Sequence, residues 1–285
     1  MARKKQEYKR KSMSLKNNNN NGWLPFSLFL LVTLTLSGCA GKPWTTPLEG
    51  DRLTETIQLV DSLILDNQSC GQGLDSDLAL FYADPLEKKA LGGYLQFSMP
   101  GSYKFVVANP FGQTVLAIAG DQTAYQAVIV PEQKYLAGSI RSFGLRHYLP
   151  TEILNGHWGE WLTARNQRPG STISTIREDK NTRGLWISFR HSKEEPAGMS
   201  HLLLEPVSKL PLAHILENGA GKSVAEVTYG DWMTQGKCRQ PQEINITGLD
   251  YGIDIRLKLS NVRLISEAKQ FTLPVPPGYI QQLQP

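Results

Sequence analysis

The sequence predicts an α+β fold, a curved antiparallel β-sheet with one wet and one apolar face and with helices covering the apolar face. Three observations carry this. Period-two alternation dominates the chain from residue 94 onward, turn-formers separate the alternating runs at hairpin spacing, and helical periodicity is confined to segments near residues 60 and 158. An antiparallel sheet that is wet on one side must bury its other side, and two amphipathic helices are what this chain offers for that.

In chain order, Arg3, Lys4, Lys5, Lys9, Arg10, Lys11 and Lys16 stand against the single acid Glu7, and an asparagine run from Asn17 to Asn21 follows. The uncharged stretch Trp23 to Leu36 reads as the apolar region of an export signal, shorter than the roughly 20 residues of a membrane span. Leu36-Ser37-Gly38-Cys39-Ala40 then resembles the lipobox of bacterial lipoproteins: a branched apolar residue and two small ones before a cysteine that is acylated and becomes the new N-terminus. Residues 1–38 are therefore expected to be a cleaved signal, with Cys39 the lipidation site. A plain secretory signal carrying a cysteine by chance is the alternative. Several acyl chains on one residue give firm anchoring where a single chain binds only marginally. Ala40 after the cysteine is compatible with sorting to the outer membrane.

The formal charge of +4 includes seven basic residues and one acid from the signal, a contribution of +6, so the chain from Cys39 onward carries about −2. The basic pI thus belongs to the export signal and is no argument for nucleic-acid binding. Lipidation of Cys39 leaves Cys70 and Cys238. In an exported protein a bridge between them can persist, but two thiols that never meet fit the sequence equally well.

Residues 39–50, with Gly41, Pro43 and Pro47, read as the lipidated cysteine and a short tether, and residues 51–285 as one domain. Leu53, Ile57, Val60 and Ile64 fall on one face of a helix ended by Asn67 and Gly71. An antiparallel meander follows: Leu95, Phe97 and Met99; Tyr103, Phe105 and Val107; Leu116 and Ile118; Tyr125, Ala127 and Ile129, punctuated by Pro100-Gly101, Asn109-Pro110-Phe111-Gly112 and Gly120-Asp121. Pro150 opens a second helix bearing Ile153, Leu154, Trp158, Trp161 and Leu162, with Gly156 and Gly159 weakening it by about 1 kcal/mol each. Strands then resume at Leu185, Ile187 and Phe189; Leu202 and Leu204; Val227 and Tyr229; and Ile244 and Ile246. The cleanest alternation sets Ile253, Ile255, Leu257 and Leu259 against Asp254, Arg256, Lys258 and Ser260. The proline-rich tail from Leu273 is expected to run extended along an edge.

Catalytic signatures are weak. The five histidines have no metal-ligand spacing; His157 and Glu160 lie a turn apart without the second histidine of a zinc motif. Gly219-Ala220-Gly221-Lys222-Ser223 imitates the end of a phosphate-binding loop, but Leu216 stands where its first glycine belongs. No serine sits in a Gly-x-Ser-x-Gly elbow. The chain is expected to be no enzyme, with no cofactor and no metal.

Three blocks resemble the LolA/LolB-like lipoprotein-carrier family, and within it the outer-membrane receptor branch, LolB. They are Tyr103 to Leu116, a strand, turn and strand; Tyr148-Leu149-Pro150-Thr151-Glu152-Ile153-Leu154 leading to Trp158 and Trp161; and Val227-Thr228-Tyr229-Gly230-Asp231-Trp232, Pro241 and Ile253 to Val262. Asn109-Pro110 stands where that family usually has Gly-Pro, residues 166–222 look longer than in typical members, and the two extra cysteines are not a family hallmark. The resemblance implies an incomplete β-barrel closed by helices over an apolar cavity for acyl chains. It further implies an outer-membrane, lipid-anchored, monomeric protein that receives lipoprotein clients from a periplasmic LolA-like carrier and inserts them into the membrane. On this reading Leu95, Phe97, Phe105, Val107, Leu116, Ile118, Ile187, Phe189, Leu257 and Leu259 line the cavity or form core, with Ile153, Leu154, Trp158 and Trp161 on the covering helix. Phe111, between Pro110 and Gly112, is expected either to touch the membrane or to fold back as a turn anchor. The alternative function is that of an accessory envelope lipoprotein using the same fold to bind a protein or an envelope lipid.

Overall fold

The computed structural model describes residues 41–142, 158–165, 171–190, 199–249 and 252–284. The compact unit runs from Pro43 to Pro285. Its strands are β1 (Trp44–Pro47), β2 (Gly73–Ala83), β3 (Lys88–Ser98), β4 (Ser102–Ala108), β5 (Thr114–Gly120), β6 (Ala124–Ile129) and β7 (Lys134–Ser139). The second half adds β8 (Thr172–Asp179), β9 (Leu185–Arg190), β10 (Met199–Glu205), β11 (Leu210–Glu217), β12 (Ser223–Gln235), β13 (Cys238–Thr247), β14 (Asp254–Ile265) and β15 (Ile280–Gln284). All join one sheet in the order β1-β8-β9-β10-β11-β12-β13-β14-β2-β3-β4-β5-β6-β7-β15, antiparallel except where β15 runs parallel to β7. The sheet is large, curved and unclosed, with β1 and β15 as its edges.

Two helices have both ends described, α1 (Gly50–Gln68) and α2 (Trp158–Thr163), and residues 140–142 are also helical. The buried side of α1 is formed by Leu53, Thr56, Val60 and Leu63, whereas Ile57, expected on that side, is 36% exposed. Thr56 takes the inward place because its hydroxyl donates to the Arg52 carbonyl at 2.7 Å, which satisfies it without water. Of the expected middle helix only α2 is described, and Ile153 and Leu154 lie outside the described residues.

In the meander β3 to β6 the expected residues share one face by register, although burial does not alternate because both faces are covered there, and β14 alternates in burial as well. Strands β2, β8 and β11 escape the alternation. In β11 five of the eight residues, from Ala213 to Glu217, are consecutively buried, so both faces are dry and the period-two signal vanishes. The supposed tether is also corrected in its second half. Trp44 pairs with Asp179 and Pro47 with Arg177, making residues 44–47 an edge strand, and α1 begins at Gly50.

Cross-strand register assigns the faces. Leu95, Phe105, Ile118, Ala127 and Leu136 form one continuous row, and Val107, Leu116 and Ile129 the next. In the other half Ile187, Leu202, His214, Val227, Ile246, Ile255 and Tyr82 continue the same face. Helix α1 lies on this inner face over β8 to β10, where Val60 packs with Ile176, Leu185, Ile187, Phe189, Leu202 and Leu204. Burying each such side chain contributes roughly 1.5–3 kcal/mol. The tail covers the outer face of the opposite wing before ending as β15. Lys269, Phe271 and Leu273 donate their backbone N–H groups to Ser98 Oγ, Ser102 Oγ and Gln126 Oε1, and Phe271 and Leu273 pack on Ala119, Val128 and Tyr135. The tail was expected only along an edge; the edge pairing holds for residues 280–284 alone.

Candidate functional site

The inner face is apolar for a local reason: one residue in two along each strand is Leu, Ile, Val or Phe, and the register stacks these residues into rows. Every strand residue expected to line a cavity, Leu95, Phe97, Phe105, Val107, Leu116, Ile118, Ile187, Phe189, Leu257 and Leu259, belongs to this one face. They divide by burial. Leu95, Phe97, Val107, Ile187, Phe189 and Leu259 are buried, while Phe105, Leu116, Ile118 and Leu257 are half-buried. The half-buried ones on β4 and β5, with Ile129 and Leu136 beside them, make a partly open apolar strip.

Helix α2 fills the centre of the same face. Trp161 and Leu162 are buried in a cluster with Leu74, Phe97, Tyr229 and Ile244. Gly159 permits this close packing: a Cβ there would come 2.3 Å from Phe97 Cζ. The chain leaving α2 is held by Gln240 Nε2, which donates to the Leu162 carbonyl at 2.6 Å, and turns through Ala164 at φ +54°.

At one end of the sheet the β4–β5 turn is locked by Asn109, whose Oδ1 accepts from the N–H groups of Phe111 and Gln113 at 2.9 and 3.0 Å. Gly112, at φ +79°, completes the turn, and Phe111 stands 87% exposed at its tip. The pairing of Gly92 with Ala108 puts the start of β3 beside the end of β4, so the β2–β3 turn lies at the same end. There Asp84 Oδ1 accepts from Leu86 and Glu87 N–H at 2.7 Å, and Leu86 is 96% exposed. Those backbone bonds come first among the reasons the Asp84 carboxyl titrates below its ordinary range. Two rigid turns therefore present an apolar side chain at one sheet end.

Cys70 and Cys238, left open by the sequence, are joined in a disulfide with a Cα–Cα distance of 5.4 Å. It ties the end of α1 to the β12–β13 hairpin at the other end of the sheet. Beside it lies a cavity of about 420 Å³ between α1, the residues after α2 and the β10–β11 and β12–β13 turns. Cys39 lies outside the described residues.

Sequence reasoning missed one polar constellation. On the outer face Ser188 Oγ and His201 Nδ1 are 2.8 Å apart, and His201 Nε2 is 3.3 Å from Glu217 Oε2. All three side chains are buried, with the Trp44 ring 4.4 Å from the imidazole. A serine, a histidine and a carboxylate stand in a line here inside packed structure, and the buried hydroxyl offers no surface to a substrate. No single-sequence signal finds such a set, because its members sit on three strands and meet only through the register.

No protein-family model and no curated protein sequence matches the chain. Solved structures do. A LolA superfamily protein from Nitrosomonas europaea matches with a TM-score of 0.50 at 11% identity, covering 75% of this chain and 94% of that one. A putative outer membrane lipoprotein-sorting protein domain from Vibrio parahaemolyticus matches with a TM-score of 0.51 at 10% identity, covering 75% and 93%. The fold is therefore LolA-like, an open curved sheet.

Proposed function

We propose that this chain is a non-enzymatic, lipid-anchored envelope protein that binds lipoprotein acyl chains against its inner face and delivers them to the outer membrane, the role of a LolB-like receptor. The observation that carries this is the half-buried strip Phe105, Leu116, Ile118 and Ile129, with Phe111 on the β4–β5 turn and Leu86 on the β2–β3 turn presented to solvent at one end of the sheet. Exposed large apolar side chains on locked turns are costly unless something apolar meets them. A membrane is the meeting partner in this reading. Binding needs no chemistry: each acyl CH₂ removed from water contributes about 0.8 kcal/mol. The likeness of fold to a lipoprotein-sorting domain supports the reading, as does the lipobox at Cys39.

A second reading, an accessory lipoprotein binding a protein partner or an envelope lipid, is favoured by one observation: α2 packs on Phe97 with no room for a Cβ at Gly159. A fluorescent acyl probe separates the two. Saturable probe binding by the mature protein, with Phe111→Glu keeping thermal stability but losing transfer to liposomes, is the receptor's outcome. Absence of probe binding selects the accessory reading, and Phe111→Glu with full transfer removes the membrane role of the tip.

A further inference from the structure

The lipobox and the edge strand β1 together fix where an anchored domain meets its membrane. Four peptide steps lead from Cys39 to Pro43, a covalent reach of at most about 14 Å. From Pro43 onward the chain is fastened. The Pro43 carbonyl accepts from the Lys180 N–H at 2.8 Å, and Trp44 pairs with Asp179. The Trp44 ring lies 4.4 Å from the His201 imidazole and 5.6 Å from the ring of buried Trp186. Acyl chains on Cys39 therefore bring the β8–β9 turn close to the bilayer surface.

Two further turns stand at the same end of the sheet. Leu185 pairs with Leu204, which sets the β10–β11 turn beside the β8–β9 turn, and Arg239 Nη1 donates to the Ser208 carbonyl, which ties the β12–β13 hairpin to them. The β10–β11 turn is locked in a protruding form. The Glu205 carboxylate accepts from the Val207 and Ser208 N–H groups, Lys209 closes the turn at φ +56°, and Val207 stands 92% exposed at its tip. The surroundings of Val207 are positive. Lys180, Lys237 and Arg239 are exposed and Lys209 is half-buried, against the carboxylates of Glu205 and Asp66, while the pairs Asp179–Arg183 and Glu178–Arg52 cancel. Four cations less two acids leave +2 here, in a chain that carries about −2 beyond its signal.

We propose that this end of the sheet, formed by the β8–β9, β10–β11 and β12–β13 turns, is a docking surface that seats the anchored domain on an anionic bilayer, with Val207 entering the headgroup region. An apolar side chain held out on a rigid turn is unfavourable in water and suits that boundary, where the surrounding cations meet lipid phosphates. A bilayer is the occupant because covalent attachment at Cys39 delivers one to this end. The proposal rests on the lipid-anchored part of the reading above and does not depend on acyl binding at the inner face. The Phe111 turn lies at the opposite end of the strands, so seating by Val207 and contact of Phe111 with the same bilayer are two orientations of one anchored domain.

The test is a spin-label depth measurement on the mature lipoprotein reconstituted in vesicles of phosphatidylcholine with about 30 mol% phosphatidylglycerol. A nitroxide on Val207→Cys should show the oxygen-rich, nickel-poor collisions of the headgroup boundary, with their ratio about threefold or more above that in vesicles of phosphatidylcholine alone. Lys180→Glu combined with Lys237→Glu should weaken seating about tenfold or more and return the label to its aqueous signature, since each basic residue near an anionic surface contributes roughly fivefold. Both lysines are exposed, so the melting temperature should not move. A label that stays in water on the lipidated protein, the outcome expected if a protein partner covers this end instead, overturns the proposal and leaves the lipoprotein reading standing. So does a boundary signature that survives both charge reversals. Mass spectrometry of the same sample decides that reading separately: Cys39 without acyl mass overturns it, and the docking surface with it.

Discussion

Removing the Cys70–Cys238 disulfide with the paired change Cys70→Ser and Cys238→Ser should destabilise the protein strongly. The bridge closes a loop across a sequence separation of 168 residues, spanning β2 to β12. The loop-entropy relation gives about 5 kcal/mol at 25 °C for a loop of that length, and compaction of the unfolded chain lowers the expected loss to about 2–4 kcal/mol. The disulfide also limits expansion of the unfolded state, so its removal should steepen the urea dependence of stability. Urea unfolding of the bridged protein and the double variant, followed by tryptophan fluorescence, reads both quantities. A stability change under about 1 kcal/mol with an unchanged slope would refute the argument, as would two freely titrating thiols in the folded, unreduced protein.

Three further outcomes follow from the structure. Gly159→Ala should cost about 1–3 kcal/mol in chemical denaturation, because the new methyl meets the ring of fully buried Phe97 and neither side can yield cheaply; unaltered stability would mean that α2 does not pack there. Asp179 is desolvated, which by itself would raise its pKa, but hydrogen bonds from Arg183 and Trp186 outweigh this and hold it at about 2, below the ordinary 3.8. A depressed carboxylate contributes its full stability above 3.8 and loses it as the pH falls through about 2, so Asp179→Asn should cost about 2 kcal/mol at neutral pH and flatten acid unfolding in that window; an unchanged acid limb would count against it. Cys39→Ser should yield an unprocessed precursor or a soluble form, and a mature-sized product that still partitions into detergent would exclude lipidation at that residue.

Legibility in the sequence followed burial. Strand β14 reads directly, since Asp254, Arg256, Lys258 and Ser260 stay exposed while the residues between them turn inward. Strand β11 does not, since consecutive burial from Ala213 to Glu217 erases alternation, and β2 hides because the inward Ser76 and the outward, apolar Ala79 and Phe81 break its alternation. The helix face was read with one error, Ile57 for Thr56, because a threonine hydroxyl satisfied by its own helix competes with an apolar residue for an inward position.

By itself the sequence determined the antiparallel class, the faces of β3 to β6 and β14, and the turn at Asn109 to Gly112, all of which depend on residues within a few positions of one another. Only the tertiary structure decided which distant segments meet. It set β14 beside β2, joined Cys70 to Cys238, brought Ser188, His201 and Glu217 into line and gathered Arg165, Lys209, Lys237 and Arg239 around one cavity. The physical reason is the range of the information. Alternation and turn chemistry state which way a side chain points, whereas its neighbour across the sheet is chosen by the sum of many weak contacts over the whole fold, which no local spacing records.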